Sequence, residues 1–286
     1  MIKVDDVELC AEALGDAADP PILLIMGTGA SMLWWDDGFC RLLADAGRFL
    51  IRYDHRDTGR SVTYEPGRPE YTGDDLVADA VGVLDAFGIP AAHLTGVSAG
   101  GAFAQLLALD FPDRVASLVL ISTSPALPVD GELPPPTEAF RRFVSSAQID
   151  WSDADSVIAY LVDYARVLGG GQRRFDEGSV RELVRRDVER ARNFGALQNH
   201  DSIPDGGRQR GPLSSIRAPT LVTHGTADPI FPVAHGEALA QQIRDARLLR
   251  LDGAGHGIDR ADWERISRAI VEHTSERQIS GGWVGR

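Results

Sequence analysis

The chain has 286 residues, of which 43% are apolar and 25% charged, a composition that excludes collagen-like, largely disordered and disulfide-scaffold proteins. Its 29 basic and 42 acidic residues leave a formal charge of −13, a field that repels nucleic acid and anionic membrane surfaces alike. One elaborated domain is the reading that fits this length.

The first stretch, MIKVDDVELCAEALGD, alternates as strands do and carries acids where a secretory signal carries basic residues; with no apolar run long enough to span a bilayer, a cytoplasmic protein is expected. Of the two cysteines, Cys10 falls in a predicted strand and Cys40 in a predicted helix, too few ligands for a zinc cluster. Short apolar bursts at 22–26, 49–53, 93–97 and 118–122 have the length of strands buried on both faces. Helix-period segments at 39–46, 75–87 and 100–110 separate them, the second stopped by Gly88 with Pro90 just beyond. Such alternation predicts an α/β fold with a parallel sheet and helices on both faces. Right-handed crossovers then bring the loops that follow the strands to one edge, where ligands bind.

The rhythm breaks after Ser124. Residues 125–212 open with Leu133-Pro134-Pro135-Pro136 and continue with helical stretches at 137–147, 153–168 and 179–194, without a convincing strand. Strands resume at 219–224 and 246–251, followed by a helix at 262–273. The expected organisation is therefore one core formed by 1–124 and 213–277, a helical cap (lid) inserted at 125–212, and a Gly-rich tail, 278–286, read as disordered.

The strongest local signal is Gly96-Val97-Ser98-Ala99-Gly100, placed where a strand turns into a helix. A serine there is held in a strained conformation that small neighbours permit, with its hydroxyl projecting from the sheet edge. A hydroxyl needs a base to become nucleophilic, and the base needs an orienting carboxylate. Asp228 follows the strand at 219–224 and His256, in Gly253-Ala254-Gly255-His256-Gly257, follows the strand at 246–251, giving the chain order that this architecture requires. Of the seven histidines, His256 lies in a Gly-flanked loop at the correct edge, whereas His93, His224 and His273 fall in strands or the last helix and His55 in another loop. An oxyanion needs two backbone donors. The amide of Ala99 is one candidate, and the amide of Thr28, in Gly27-Thr28-Gly29, is the other.

Two look-alikes fail. His55-Arg56-Asp57 mimics a kinase catalytic loop, but Val62 stands where an Asn is required. The run Gly27-Thr28-Gly29-Ala30-Ser31-Met32 ends in Met where a dinucleotide fingerprint has a small residue. Residues 54–61 read instead as a structural turn beside the pocket, with Asp54 or Arg56 fixing loop geometry. The aromatics Trp34 and Phe231 at the predicted mouth, and Phe140 and Tyr164 in the lid, are candidates to line an apolar site, as is the Gly27 backbone. Seven arginines at 173–192 interleave with acids at helical spacing and read as a solvated helix face.

The stretches ILLIMG, IRYDHRDTGRS, DLVADAVGVLDAFG, GVSAGG, GTADPIF and GAGHG together resemble the α/β-hydrolase superfamily, and particularly its aclacinomycin methylesterase branch, over residues 1–123 and 212–275. The resemblance implies a mostly parallel eight-stranded α/β-hydrolase sheet with an inserted cap and a covalent, cofactor-free and metal-free ester hydrolysis. By motif, the triad roles fall on Ser98, Asp228 and His256, with Thr28 and Ala99 at the oxyanion hole. Met26 stands where many relatives have His, and Ala99 where a larger apolar residue is common. The expected substrate is a small-molecule apolar ester, with a methyl ester of a polycyclic natural product the form the branch implies. Perhydrolysis or haloperoxidation and carbon–carbon bond hydrolysis use the same triad and stay open as alternatives, as does a ligand receptor without turnover.

Overall fold

The computed structural model describes residues 1–275, so the expectation for the tail at 278–286 lies outside the described residues. The strands form where apolar residues run without interruption. In β4 (Pro21–Ile25), Ile22, Leu23, Leu24 and Ile25 are all fully buried, which requires cover on both sides of the sheet. Two short strands, β1 (Ile2–Val4) and β2 (Val7–Leu9), precede β3 (Ala11–Leu14), while β5 (Phe49–Tyr53), β6 (Ala92–Val97), β7 (Val115–Ile121), β8 (Thr220–Gly225) and β9 (Arg247–Leu251) follow β4. The main sheet runs β3-β5-β4-β6-β7-β8-β9, parallel except for β3. The chain reverses direction across the sheet between β4 and β6, and the crevice at such a reversal is where open α/β sheets bind ligands.

The eight strands implied by the resemblance become seven, with β1 and β2 forming a separate antiparallel hairpin. Cys10 is the cause. Its N–H donates to a side chain, Ser61 Oγ at 2.9 Å, which interrupts the ladder between β2 and β3, while its carbonyl, accepting from Asp54 N–H at 2.8 Å, extends the pairing of β3 with β5. Both cysteines are buried and unpaired. Burial pushes the Cys40 thiol up to about 11, which keeps it protonated and inert.

Alternate residues of the strands feed two cores. Leu23, Ile25, Leu94, Leu118 and Leu120 pack with α2 (Gly73–Ala86) and α3 (Ala99–Asp110), whereas Ile22, Leu24, Val119 and Ile121 pack with α1 (Asp37–Asp45) and α8 (Trp263–Ser275). Helix α2 starts on a reciprocal cap between Thr72 and Asp75 and ends at Phe87, with Gly88 at φ 69°, the stop its sequence predicted. Between β7 and β8 lie α4 (Glu138–Ser146), α5 (Ala154–Leu168), α6 (Glu177–Arg190) and a 3-10 helix at Phe194–Asp201, with no strand among the described residues there. The helix expected at 179–194 ends early, because Ala191 turns extended. Helix α7 (Ala234–Gln242) has no counterpart among the predicted elements; its sequence, AHGEALAQQ, buries His235, Gly236 and Leu239 and shows little apolar periodicity.

Under the sheet edge, the buried Asp79 of α2 takes two hydrogen bonds from the Arg56 guanidinium, at 2.7 and 2.8 Å. Burial pushes the Asp79 carboxyl up while Arg56 draws it down. Removing one partner leaves the other charge buried, so Asp79→Ala is expected to destabilise the fold by about 3–5 kcal/mol in urea unfolding.

Candidate active site

Ser98 leaves β6 with φ 55° and ψ −125°, a conformation that places a non-glycine residue in the left-handed region. The turn is tight on both sides. A Cβ on Gly96 would run into the Gly100 carbonyl, and one on Gly100 into the carbonyls of Ile25 and Met26. The serine is tied to the sheet by its N–H, which donates to Ile121 O at 3.0 Å, and by its carbonyl, which accepts from Thr123 Oγ1 at 2.6 Å. Its Oγ has no hydrogen-bond partner among the described residues. Helix α3 starts at Ala99, and the Ala99 N–H likewise meets no acceptor among the described residues, as expected in a first helical turn.

Two loops farther along the same edge carry the other predicted residues. Asp228, three residues beyond β8, is buried; its Oδ1 accepts from the N–H groups of Ile230 and Phe231, both at 2.9 Å. Its Oδ2 meets His256 Nδ1 at 2.9 Å. The two loops are joined by Ala227 N–H to Ala254 O at 2.9 Å, and the His256 N–H donates to Leu168 O at the end of α5 at 2.8 Å. His224 Nε2 lies 3.5 Å from Asp228 Oδ2 but gives its proton to Phe231 O at 2.7 Å, and burial lowers its pKa. His224 is thus a neutral prop of the Asp228 loop.

The loop after β4 lies against the serine: a Cβ on Gly27 would stand 3.1 Å from Ser98 Cβ. Thr28 is exposed and its N–H meets no acceptor among the described residues. Around this loop is a polar frame. Asp54 accepts from Met32 N–H and Arg60 N–H, both at 2.9 Å, and pairs with Arg190 of α6 at 2.7 Å. Arg56 is engaged with Asp79, so residues 54–61 do form the structural turn that the sequence predicted.

Of the predicted pocket residues, Phe231 lies beside His256, its ring tilted at 57° to the imidazole with ring centroids 5.7 Å apart. Phe140 and Tyr164 pair across α4 and α5 at 5.9 Å, joined by Phe143 and Tyr160. Burial first, then the neighbouring Tyr160, Asp201 and Asp228, pushes the Tyr164 hydroxyl up to about 12, so it stays protonated. Trp34 is half-buried, and its indole N–H is taken by Asp187 Oδ2 at 2.9 Å. The sequence reading missed Asp187, which it placed on a solvated face. That reading holds for Arg181 and Arg185, paired with Glu177, Glu182 and Glu189. Asp187 instead is buried and accepts from Ser31 Oγ at 2.5 Å. Its signal was Val184 three residues earlier on the same helix face. Missed as well were His55 and His200, which hold the Met26 carbonyl and the Gly29 N–H.

A family model for the alpha/beta hydrolase fold matches residues 20–258, and the chain belongs to that family. It is 37% identical, over 96% of this chain and 97% of the relative, to rhodomycin D methylesterase DauP from Streptomyces sp. (strain C5). Identity is 36%, over the same shares, to rhodomycin D methylesterase DnrP from Streptomyces peucetius. These relatives bear out the resemblance to the methylesterase branch. Among solved structures, an esterase from Rhodococcus sp. ECU1013 matches with a TM-score of 0.76 at 23% identity, covering 96% of this chain and 97% of that one. A meta-cleavage product hydrolase from Pseudomonas fluorescens IP01 matches with a TM-score of 0.72 at 22% identity and the same coverage. These two speak for the fold.

Proposed function

We propose that the protein is a serine esterase that hydrolyses a methyl ester on a bulky, apolar, polycyclic natural product. The observation that carries this reading is the 2.9 Å bond between His256 Nδ1 and Asp228 Oδ2, on the sheet edge where Ser98 projects in its strained turn. A carboxylate on Nδ1 fixes the tautomer that leaves Nε2 free to accept a proton. In the proposed reaction, Ser98 Oγ attacks the ester carbonyl as His256 takes its proton, and the Thr28 and Ala99 N–H groups receive the oxyanion. His256 then protonates the leaving methoxide. Water, deprotonated by the same imidazole, attacks the acyl-enzyme and releases the acid. Ser98 Oγ makes no hydrogen bond to His256 among the described residues, and the proposed reaction has that bond form when substrate fills the site.

Residues 125–212 act in this reading as the cap over a core formed by 1–124 and the described part of 213–277. Phe140, Tyr164 and Phe231 present apolar ring surface, Gly27 lets the loop approach the ester, and Trp34 offers its ring face because its N–H is engaged. Substrate choice by a methylesterase is supported by the names of the two Streptomyces relatives. No helix among the described residues is long and apolar enough to cross a membrane. The two unpaired thiols suit the reducing cytoplasm, the location proposed.

The test is a substrate series: a polycyclic polyketide methyl ester, simple esters of graded acyl length, a vinylogous diketone, and hydrogen peroxide with acetate. The highest kcat/KM is expected on the polycyclic methyl ester, with methanol and acid released one to one. Carbon–carbon cleavage or peracid formation outrunning methanol release, or binding without turnover, would replace this reading with one of the alternatives.

A further inference from the structure

The loop carrying the Thr28 N–H contains two glycines, one of them, Gly29, at φ 68°, and its internal backbone bond, from Ala30 N–H to Gly27 O, is long at 3.4 Å. A segment so built does not hold one shape unaided. Its fixed points come from two imidazoles. His55 Nε2 lies 2.9 Å from Met26 O, beneath the loop. His200, on the 3-10 helix of the inserted segment, meets the Gly29 N–H with Nδ1 at 2.9 Å and Arg56 O with Nε2 at 2.7 Å. A backbone N–H only donates and a carbonyl only accepts. One form of His200 satisfies both, the neutral ring protonated on Nε2.

We propose that His200 is a positioning residue for the oxyanion site: by accepting the Gly29 N–H it fixes the peptide plane next to Thr28 and keeps the Thr28 donor in register with that of Ala99. The inference rests on the esterase reading above. Thr28 lies between two hydrogen-bonded groups. The long Ala30 bond restrains the carbonyl of the Gly27–Thr28 peptide only loosely, so with planar trans peptides the shorter contact of His200 to the N–H of the Thr28–Gly29 peptide sets how far the Thr28 N–H can turn. Gly27 packs directly against Ser98, so a shift of this loop changes the donor's distance from the reacting carbon. An imidazolium at position 200 would aim a proton at the Gly29 N–H and expel it. Burial opposes that form, lowering the His200 pKa against the pull of the Arg56 carbonyl, Asp57 and Asp201; Tyr71 and the neutral His55 complete its surroundings.

The experiment compares two near-isosteric variants on p-nitrophenyl acetate. Asparagine places an acceptor oxygen where Nδ1 stood, whereas glutamine reaches the Nε2 position and leaves Gly29 without an acceptor. His200→Gln is expected to lower kcat by about 10²-fold, the scale of a 1 Å misplacement, with KM unchanged. Its affinity for phenylboronic acid, whose tetrahedral adduct occupies the oxyanion site, should fall in parallel. His200→Asn is expected to retain kcat within about tenfold. Wild-type kcat in both variants, equal impairment of both, or a loss confined to KM would overturn the proposal. A measurement on unmodified protein guards against misfolding: nitrogen-15 NMR of the imidazoles should show His200 neutral and protonated on Nε2 wherever the enzyme is active, and an imidazolium or the other tautomer there overturns it equally. Wild-type protein inert to esters and unlabelled by a fluorophosphonate would defeat the esterase reading, and this inference with it; active wild type with unaffected variants would defeat this inference alone.

Discussion

Replacing Ser98 with alanine is expected to lower kcat on the preferred methyl ester by about 10⁶-fold, the scale seen when the nucleophile of another serine hydrolase is removed. Labelling by a fluorophosphonate should vanish while the melting temperature stays within a few degrees. The two outcomes separate for a physical reason. The Ser98 hydroxyl has no hydrogen-bond partner among the described residues, whereas the backbone of the turn is held by Ile121 and Thr123, groups that an alanine leaves in place. Alanine bears the same φ of 55° at the same cost, so the elbow survives. Turnover retained by the alanine variant would show that the ester is attacked by something other than this side chain.

Asp228→Asn is expected to cost about 10⁴-fold in kcat, as loss of the orienting carboxylate does in other serine hydrolases. The asparagine oxygen can still take the N–H groups of Ile230 and Phe231, now at 2.9 Å on Oδ1, so the loop keeps its shape. Its amide nitrogen then faces His256 Nδ1. A donor there turns the imidazole to the other tautomer, with the proton on Nε2, where it blocks acceptance from Ser98. Circular dichroism unchanged, KM nearly unchanged and fluorophosphonate labelling slowed in step with kcat are the expected results. An asparagine variant with more than a tenth of wild-type kcat would mean that His256 is oriented by another group, for which His224 Nε2, 3.5 Å from Asp228 Oδ2, offers no substitute acceptor.

Much of this was legible in the residues because it is local. The elbow declares itself in five consecutive positions, since only Gly at 96 and 100 allows the strand and helix to approach so closely. The buried strands declare themselves as unbroken apolar runs, and β5 begins and ends where its pattern predicts. What stayed hidden depends on partners far away in the chain. The interruption at Cys10 is made by Ser61, 51 residues on, and Asp187 is recruited by Ser31 and Trp34, more than 150 residues before it. His200 lies 171 residues from Gly29, and a lone histidine in a weakly periodic stretch carries no mark of that contact. Helix α7 was hidden for a different reason: packed by Gly236 against His224, it needs a small residue where an amphipathic pattern would show a large one.

The segment between β7 and β8 touches several loops around the proposed site through a main-chain or buried polar bond: Leu168 to the backbone of His256, Arg190 to Asp54, Asp187 to Ser31, and His200 to Gly29. In the proposed reading, ligand preference and catalytic competence are therefore not separable modules. A chimera that borrowed this stretch from a relative would import foreign props for the nucleophile's neighbourhood, and would need the matching loops to travel with it. The ring surfaces of α4 and α5 are only partly independent of those anchors: Phe140, Phe143 and Tyr164 pair with one another, whereas Tyr160 also meets Trp151, which stacks on Phe194 at the start of the helix that carries His200.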